Sequence, residues 1–145
     1  MAAPLNAAVD SVKAQAYRIP TDAPESDGTL EWDSTTIVVA EISGGGKTGI
    51  GYSYTSAAAV EVIQGKLAGV VQGGNVLNIP QLWSALNCSV RNIGRRGLVS
   101  AAISAIDIAL WDLKARVLDF PLTNPQLQAA TLDSFNTGRL SLKVE

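Results

Sequence analysis

AAISAIDIALWDLKAR, residues 101–116, decides how this chain is built. The stretch has no Gly or Pro, and from Leu98 to Leu113 only Ser100, Ser104, Asp107 and Asp112 are polar. A helix with one wet face carries an apolar stripe with charges opposite it. Here the apolar residues run nearly all the way round, which predicts a helix over roughly Leu98–Leu118 covered on more than one side. At 1.5 Å per residue that rod is about 30 Å long. The remaining elements are expected to cover only about half of it, so residues 98–118 should meet a partner surface. That partner is either a missing domain or a second chain, an identical copy included.

Upstream, the pattern is strands first and helices after. Val9 to Ile19 alternates, with Val12, Ala14 and Ala16 against Lys13, Gln15 and Tyr17, and reads as a half-buried strand. Pro20 is expected to end it. Residues 20–34, PTDAPESDGTLEWDS, hold two Pro, one Gly and five acidic side chains and read as a long loop. Thr35–Ile42 is β-branched and reads as a second strand, SGGGKTG as a turn, and Ile50–Tyr54 as a third strand of an antiparallel hairpin. Ser56 is placed to cap a helix over Ala57–Val70, with Ala59, Val60, Ile63 and Leu67 on one face. Pro80 suits the first turn of another helix, through about Asn92, carrying Leu82, Trp83, Leu86 and Val90. The fold class is therefore α+β: a three-stranded antiparallel sheet followed by a helical layer. Residues 1–122 form that domain, and 123–145 read as a polar tail without a sustained period.

Composition narrows the chemistry. Net charge is −2 and Arg95–Arg96 is the only basic pair, so there is no footprint for nucleic acid. The absence of histidine removes His-based triads and His metal ligands. Cys88, the lone cysteine, falls among Leu86 and Val90 in a helical pattern and reads as a small buried hydrophobe. No run reaches the ~18 uncharged apolar residues of a membrane span, because Asp107 interrupts the best one. MAAPLNAAVDSV lacks a basic start ahead of an apolar block, so no signal peptide is expected and a cytoplasmic location is.

The motifs divide cleanly. GGGKTG is not a phosphate loop, because Glu41 occupies the place of the first Gly and a strand, not a helix, follows the Thr. Asp22, Glu25, Asp27, Glu31 and Asp33 lack calcium-loop spacing and read as a solvated acidic segment. Asp112 can pair with Arg116 one helical turn on. Asp107 has no such partner, and a buried lone carboxylate would need a donor from elsewhere. In GIGYSYTSA (Gly49–Ala57), alternation puts Tyr52 and Tyr54 on one face with Ser53 opposite. They are either a Tyr pair covering the sheet or a recognition lip offering hydroxyls to a polar ligand.

Residues 101–116 resemble the first signature of the mandelate racemase/muconate lactonizing enzyme family, in the enolase superfamily. GRRG upstream, VLDFPL downstream and the hairpin VVAEISGGGKTGIGYSYT are similar too, so that the resemblance spans about residues 9–122. It implies a capping domain over the mouth of a (β/α)-barrel that carries the catalytic bases and the Mg²⁺-binding carboxylates. It also implies that loop 20–34 and the lip line the far end of a small carboxylate substrate, which makes Trp32, Tyr52, Tyr54 and Thr55 the candidate substrate-binding residues. No catalytic or metal-binding residue is assigned to this chain, and no cofactor is expected on it, Mg²⁺ belonging to the full-length family. No Lys-x-Lys motif and no set of spaced acidic strand ends is present, as expected of a truncated or frameshifted product or a fragment. The resemblance thus points to the cap of an acid-sugar dehydratase, not catalytic alone. The alternatives are the cap of a racemase or cycloisomerase, or an interaction module docking through its apolar helix.

Overall fold

The computed structural model describes residues 6–123, so the polar tail lies outside the described residues from position 124 on. Three strands come first: β1 (Val9–Ser26), β2 (Glu31–Gly44) and β3 (Lys47–Tyr54). They form one antiparallel sheet in the order β1-β2-β3. A helical run follows as α1 (Ala59–Val62), a π-helical turn (Ile63–Leu67) and α2 (Ala68–Val71). Then come α3 (Ile79–Ser89) and the long α4 (Leu98–Leu118). The α+β class and the span of α4 agree with the sequence.

The expected loop over residues 20–34 is instead the far half of a hairpin. β1 runs through Pro20, which pairs with Ser34, shifts register, and resumes with Glu25 opposite Trp32 and Ser26 opposite Glu31. β1 is an edge strand, and there a proline removes only a donor that the ladder does not use. At the tip, Asp27 Oδ1 accepts the N–H groups of Thr29 (2.8 Å) and Leu30 (3.0 Å) and the Thr29 hydroxyl (2.6 Å), while Gly28 takes φ +88°. These bonds hold the Asp27 carboxyl down at about 2, the Thr29 hydroxyl having the largest influence. The folded value lies below the ordinary 3.8, so the turn is fully held above that pH and released as pH falls through about 2. Acid titration by NMR should move the Thr29 and Leu30 amide resonances together in that window and leave Val38 in place.

The β2–β3 turn is two glycines, Gly45 (φ +56°) and Gly46 (φ +73°), the doubly left-handed pair that a tight hairpin requires. The outer strand β1 is tied to the helical run by side chains. Gln64 Nε2 donates to the Ala14 carbonyl (2.9 Å) and Gln72 Nε2 to the Asp10 carbonyl (3.1 Å). Ser56 Oγ accepts the Ala58 N–H at 3.3 Å, and the helix starts at Ala59, two residues later than expected.

One sheet face and the helices enclose a single core. Val38, Ala40 and Ile42 meet Ile106, Leu110 and Leu113 from α4, with Ile63, Leu67, Val71, Ile79 and Leu86 beyond. The chain covers α4 more fully than the expected half, though not all round. Ten of its residues are buried, and only Ser104, Ile108 and Arg116 are exposed. Close approach explains it. A Cβ on Gly49 or Gly51 of β3 would collide with the α4 backbone at Ala109–Leu113 and at Ala105–Ala109 respectively. Glycine on the strand and alanine on the helix let one face of the rod lie directly on the sheet, which leaves α1–α3 to cover another. A strip with Ser104, Asp107 and Ile108 stays open, flanked by half-buried Trp111.

One further residue differs from expectation. Cys88 is exposed, because Leu82, Leu86 and Val90 take the buried side of the α3 segment and Cys88 lies on the other. Lys114 is buried within α4. Its Nζ donates to the Leu77 carbonyl (3.2 Å) and lies 5.4 Å from the Trp111 ring centre, and burial lowers its pKa to about 8.

Candidate functional site

β3 stops at Tyr54, opposite Ile37, while β2 extends outward as far as Glu31. Among the described residues that leaves an edge of β2 without a neighbouring strand, and the chain turns off beside it through Thr55 and Ser56 towards α1. The result is an open groove of about 410 Å³ lined by Trp32, Ser34, Thr35, Thr36, Tyr54, Thr55 and Ser56. Every one of these side chains carries a hydroxyl except Trp32, which offers its ring face, its indole N–H being taken by Glu25. Such a surface suits a ligand that presents many donors and acceptors.

Each flank is fixed by named contacts. The Thr55 N–H donates to the Thr36 carbonyl at 3.3 Å, closing the turn below the groove. Trp32 Nε1 donates to Glu25 Oε2 across the hairpin at 2.8 Å, which orients the indole. Behind the groove, Arg18 donates through Nε to Ser34 Oγ (2.6 Å) and through a terminal nitrogen to Asp33 Oδ1 (3.0 Å). The Ser34 hydroxyl, with the Arg18 hydrogen bond and charge, holds the Asp33 carboxyl below its ordinary value.

Of the residues singled out from sequence, Trp32, Tyr54 and Thr55 meet in this groove. Tyr52 does not line it. It stands two positions back on the same sheet face and touches Tyr54 ring edge to ring face, with centres 6.5 Å apart and planes at 85°. Both rings are exposed, as is the neighbouring Ile50. Sequence reasoning missed Ser34, Thr35 and Thr36. Their signal was the hydroxyl run immediately before the β-branched strand.

On α4, the Asp112 carboxylate takes two donors at one oxygen, Arg116 Nε at 2.9 Å and the backbone N–H of Ile50 at 2.8 Å. The pairing with Arg116 is the one the spacing predicted, and the bond to β3 is additional. Asp107 is half-buried and accepts no hydrogen bond among the described residues, and burial raises its pKa. No group of three or more acidic, Cys or His side chains among the described residues is placed to hold a metal ion. Those residues therefore do not fit a magnesium site. No helix among them is long and apolar enough to cross a membrane.

A family profile described as the N-terminal domain of mandelate racemase/muconate lactonizing enzyme matches residues 11–125. A 3,6-anhydro-α-L-galactonate cycloisomerase of Streptomyces coelicolor is 35% identical over 114 residues, covering 73% of this chain and 31% of that protein. The L-talarate/galactarate dehydratase of Salmonella typhimurium is 32% identical over 143 residues, covering 90% of this chain and 35% of that one. Its structure with Mg and L-lyxarohydroxamate superposes with a TM-score of 0.70 at 29% identity, over 84% of this chain and 34% of that chain. A mandelate racemase/muconate lactonizing enzyme-like protein from Rubrobacter xylanophilus superposes with a TM-score of 0.78 at 49% identity, over 79% and 32%. The chain spans about a third of the length of the curated relatives it matches.

Proposed function

Because the chain belongs to the mandelate racemase/muconate lactonizing enzyme family, whose N-terminal domain it carries, we propose that it is the capping domain of an acid-sugar dehydratase. In this reading the proton-abstracting groups and the Mg²⁺ ligands stand on a barrel domain outside the described residues. The chain's own residues bind and orient the polyol end of the substrate and keep water from the barrel mouth. The observation that carries the proposal is the groove. It brings Trp32, Tyr54 and Thr55 together with the hydroxyls of Ser34, Thr35, Thr36 and Ser56. Those side chains offer a sugar acid both donors and acceptors, whereas an aromatic or aliphatic carboxylate would leave most of them unpaired. Tyr52 adds apolar support behind Tyr54.

The strip on α4 with Ser104, Asp107, Ile108 and Trp111 is the surface we assign to the barrel. A cationic or N–H donor from it would satisfy Asp107, whose carboxylate has none among the described residues. The cycloisomerase relative supports a second reading, the cap of an isomerase. The two share the groove and differ in chemistry that takes place on the barrel.

Titration of the ¹⁵N-labelled chain with galactarate tests the proposal. The Trp32 indole and the Tyr54, Thr55 and Thr36 amides are expected to shift in a saturable manner in the millimolar range. Mandelate at the same concentration should move them several-fold less. Absence of shifts at these residues, or equal shifts with mandelate, would refute the assignment.

A further inference from the structure

β3 is the strand that carries Tyr52 and Tyr54, and its outer edge has no strand beside it among the described residues. Two kinds of contact hold it against α4. Gly49 and Gly51 permit backbone-to-backbone approach to Ala105, Ala109 and Leu113. This contact is one of shape, made by small residues that face each other. The second contact is directional. The Ile50 N–H, two positions from Tyr52, points away from β2 and donates to Asp112 Oδ2 at 2.8 Å. The same oxygen accepts Arg116 Nε, and the Asp112 side chain is only 18% exposed. A charge-assisted bond is shorter and stronger than a neutral one and so defines position better.

We propose that Asp112 is a positioning residue for the recognition lip: through Ile50 it sets the placement of β3, and so holds the Tyr52–Tyr54 ring pair beside the groove. Arg116 keeps the carboxylate turned toward the strand. The inference rests on the groove reading for its ligand consequence, while the anchoring itself does not. Cross-strand pairing of Val39 with Tyr52 and of Ile37 with Tyr54 fixes β3 relative to β2. Asp112 fixes it relative to α4, the element that forms the floor of the sheet.

The experiment compares Asp112→Ala and Asp112→Asn with the unaltered chain. In Asp112→Ala, exchange of the Ile50 amide should quicken by about tenfold, as expected for loss of one protecting hydrogen bond. The Tyr52–Tyr54 ring contact seen by NOE should weaken as β3 loses its hold on α4. Galactarate-induced shifts at Tyr54 and Thr55 should fall several-fold, while the shift at the Trp32 indole, held from Glu25, persists. Asp112→Asn keeps an oxygen acceptor and should restore Ile50 protection and the ring contact. It also carries the test if the alanine variant does not fold. An Asp112→Ala chain with unchanged Ile50 exchange and an intact ring contact would overturn the proposal, as would an Asp112→Asn chain that folds but restores neither. If galactarate shifts nothing in the unaltered chain, the groove reading fails, and exchange and ring contact still judge the anchor.

Discussion

Gly51→Ala is expected to lower the stability of the chain by about 3 kcal/mol or more, at the upper end of what overpacking costs. The added methyl would collide with the Ala105 carbonyl and the Ala109 amide. Both belong to helix backbone and cannot rotate aside as a side chain could. Relief requires the whole of α4 to lift from β3, which would open the contacts of Ile106, Leu110 and Leu113 as well. Gly69→Ala is the control, because a Cβ there meets nothing within 4 Å. Gly69 lies in helical α2, where exchange for alanine should stabilise by about 0.5–1 kcal/mol through reduced backbone freedom in the unfolded chain. Urea unfolding followed by circular dichroism should thus move in opposite directions for one chemical change. Equal, small effects would mean that the strand and the rod are not in backbone contact.

Leu110→Ala is expected to cost about 2–5 kcal/mol, while Ile108→Ala, two residues away, should cost under about 1 kcal/mol. Leu110 is 0% exposed, enclosed by this chain's own sheet and helices, whereas Ile108 is 38% exposed on the open strip. The two side chains are isomers, so the contrast reads burial and not composition. Comparable losses at the two positions would show Ile108 to be covered in solution.

The same contrast marks how far the amino-acid sequence alone reaches. The span of α4, the three-stranded sheet and the glycine turn are legible in it, because each depends on local chemistry: helix periodicity, β-branched runs and paired glycines. The degree of shielding of α4 is not. It depends on Gly49 and Gly51 meeting Ala105 and Ala109, residues far apart in the chain whose shared property is small size. The alanine spacing is visible as hydrophobicity, but not as shape. Residues 20–34 mislead because Pro20, Pro24 and Gly28 are punctuation in a central strand and tolerable in an exposed ribbon at a sheet edge. Trp32 therefore reads as part of a loop, although it stands on a strand and does face the groove. Ser34, Thr35 and Thr36 join it only because β3 ends early and leaves β2 without a neighbour, a matter of relative strand length. Cys88 is masked by its neighbours in sequence, since Leu86 and Val90 are turned away from it.

The tethers on the two sheet margins have a colloidal consequence. Gln64 and Gln72 occupy carbonyls along β1, Pro20 has no N–H to give, and Asp112 occupies the Ile50 N–H of β3. An invading strand from another molecule finds its hydrogen-bonding positions already taken at these points, which disfavours pairing there.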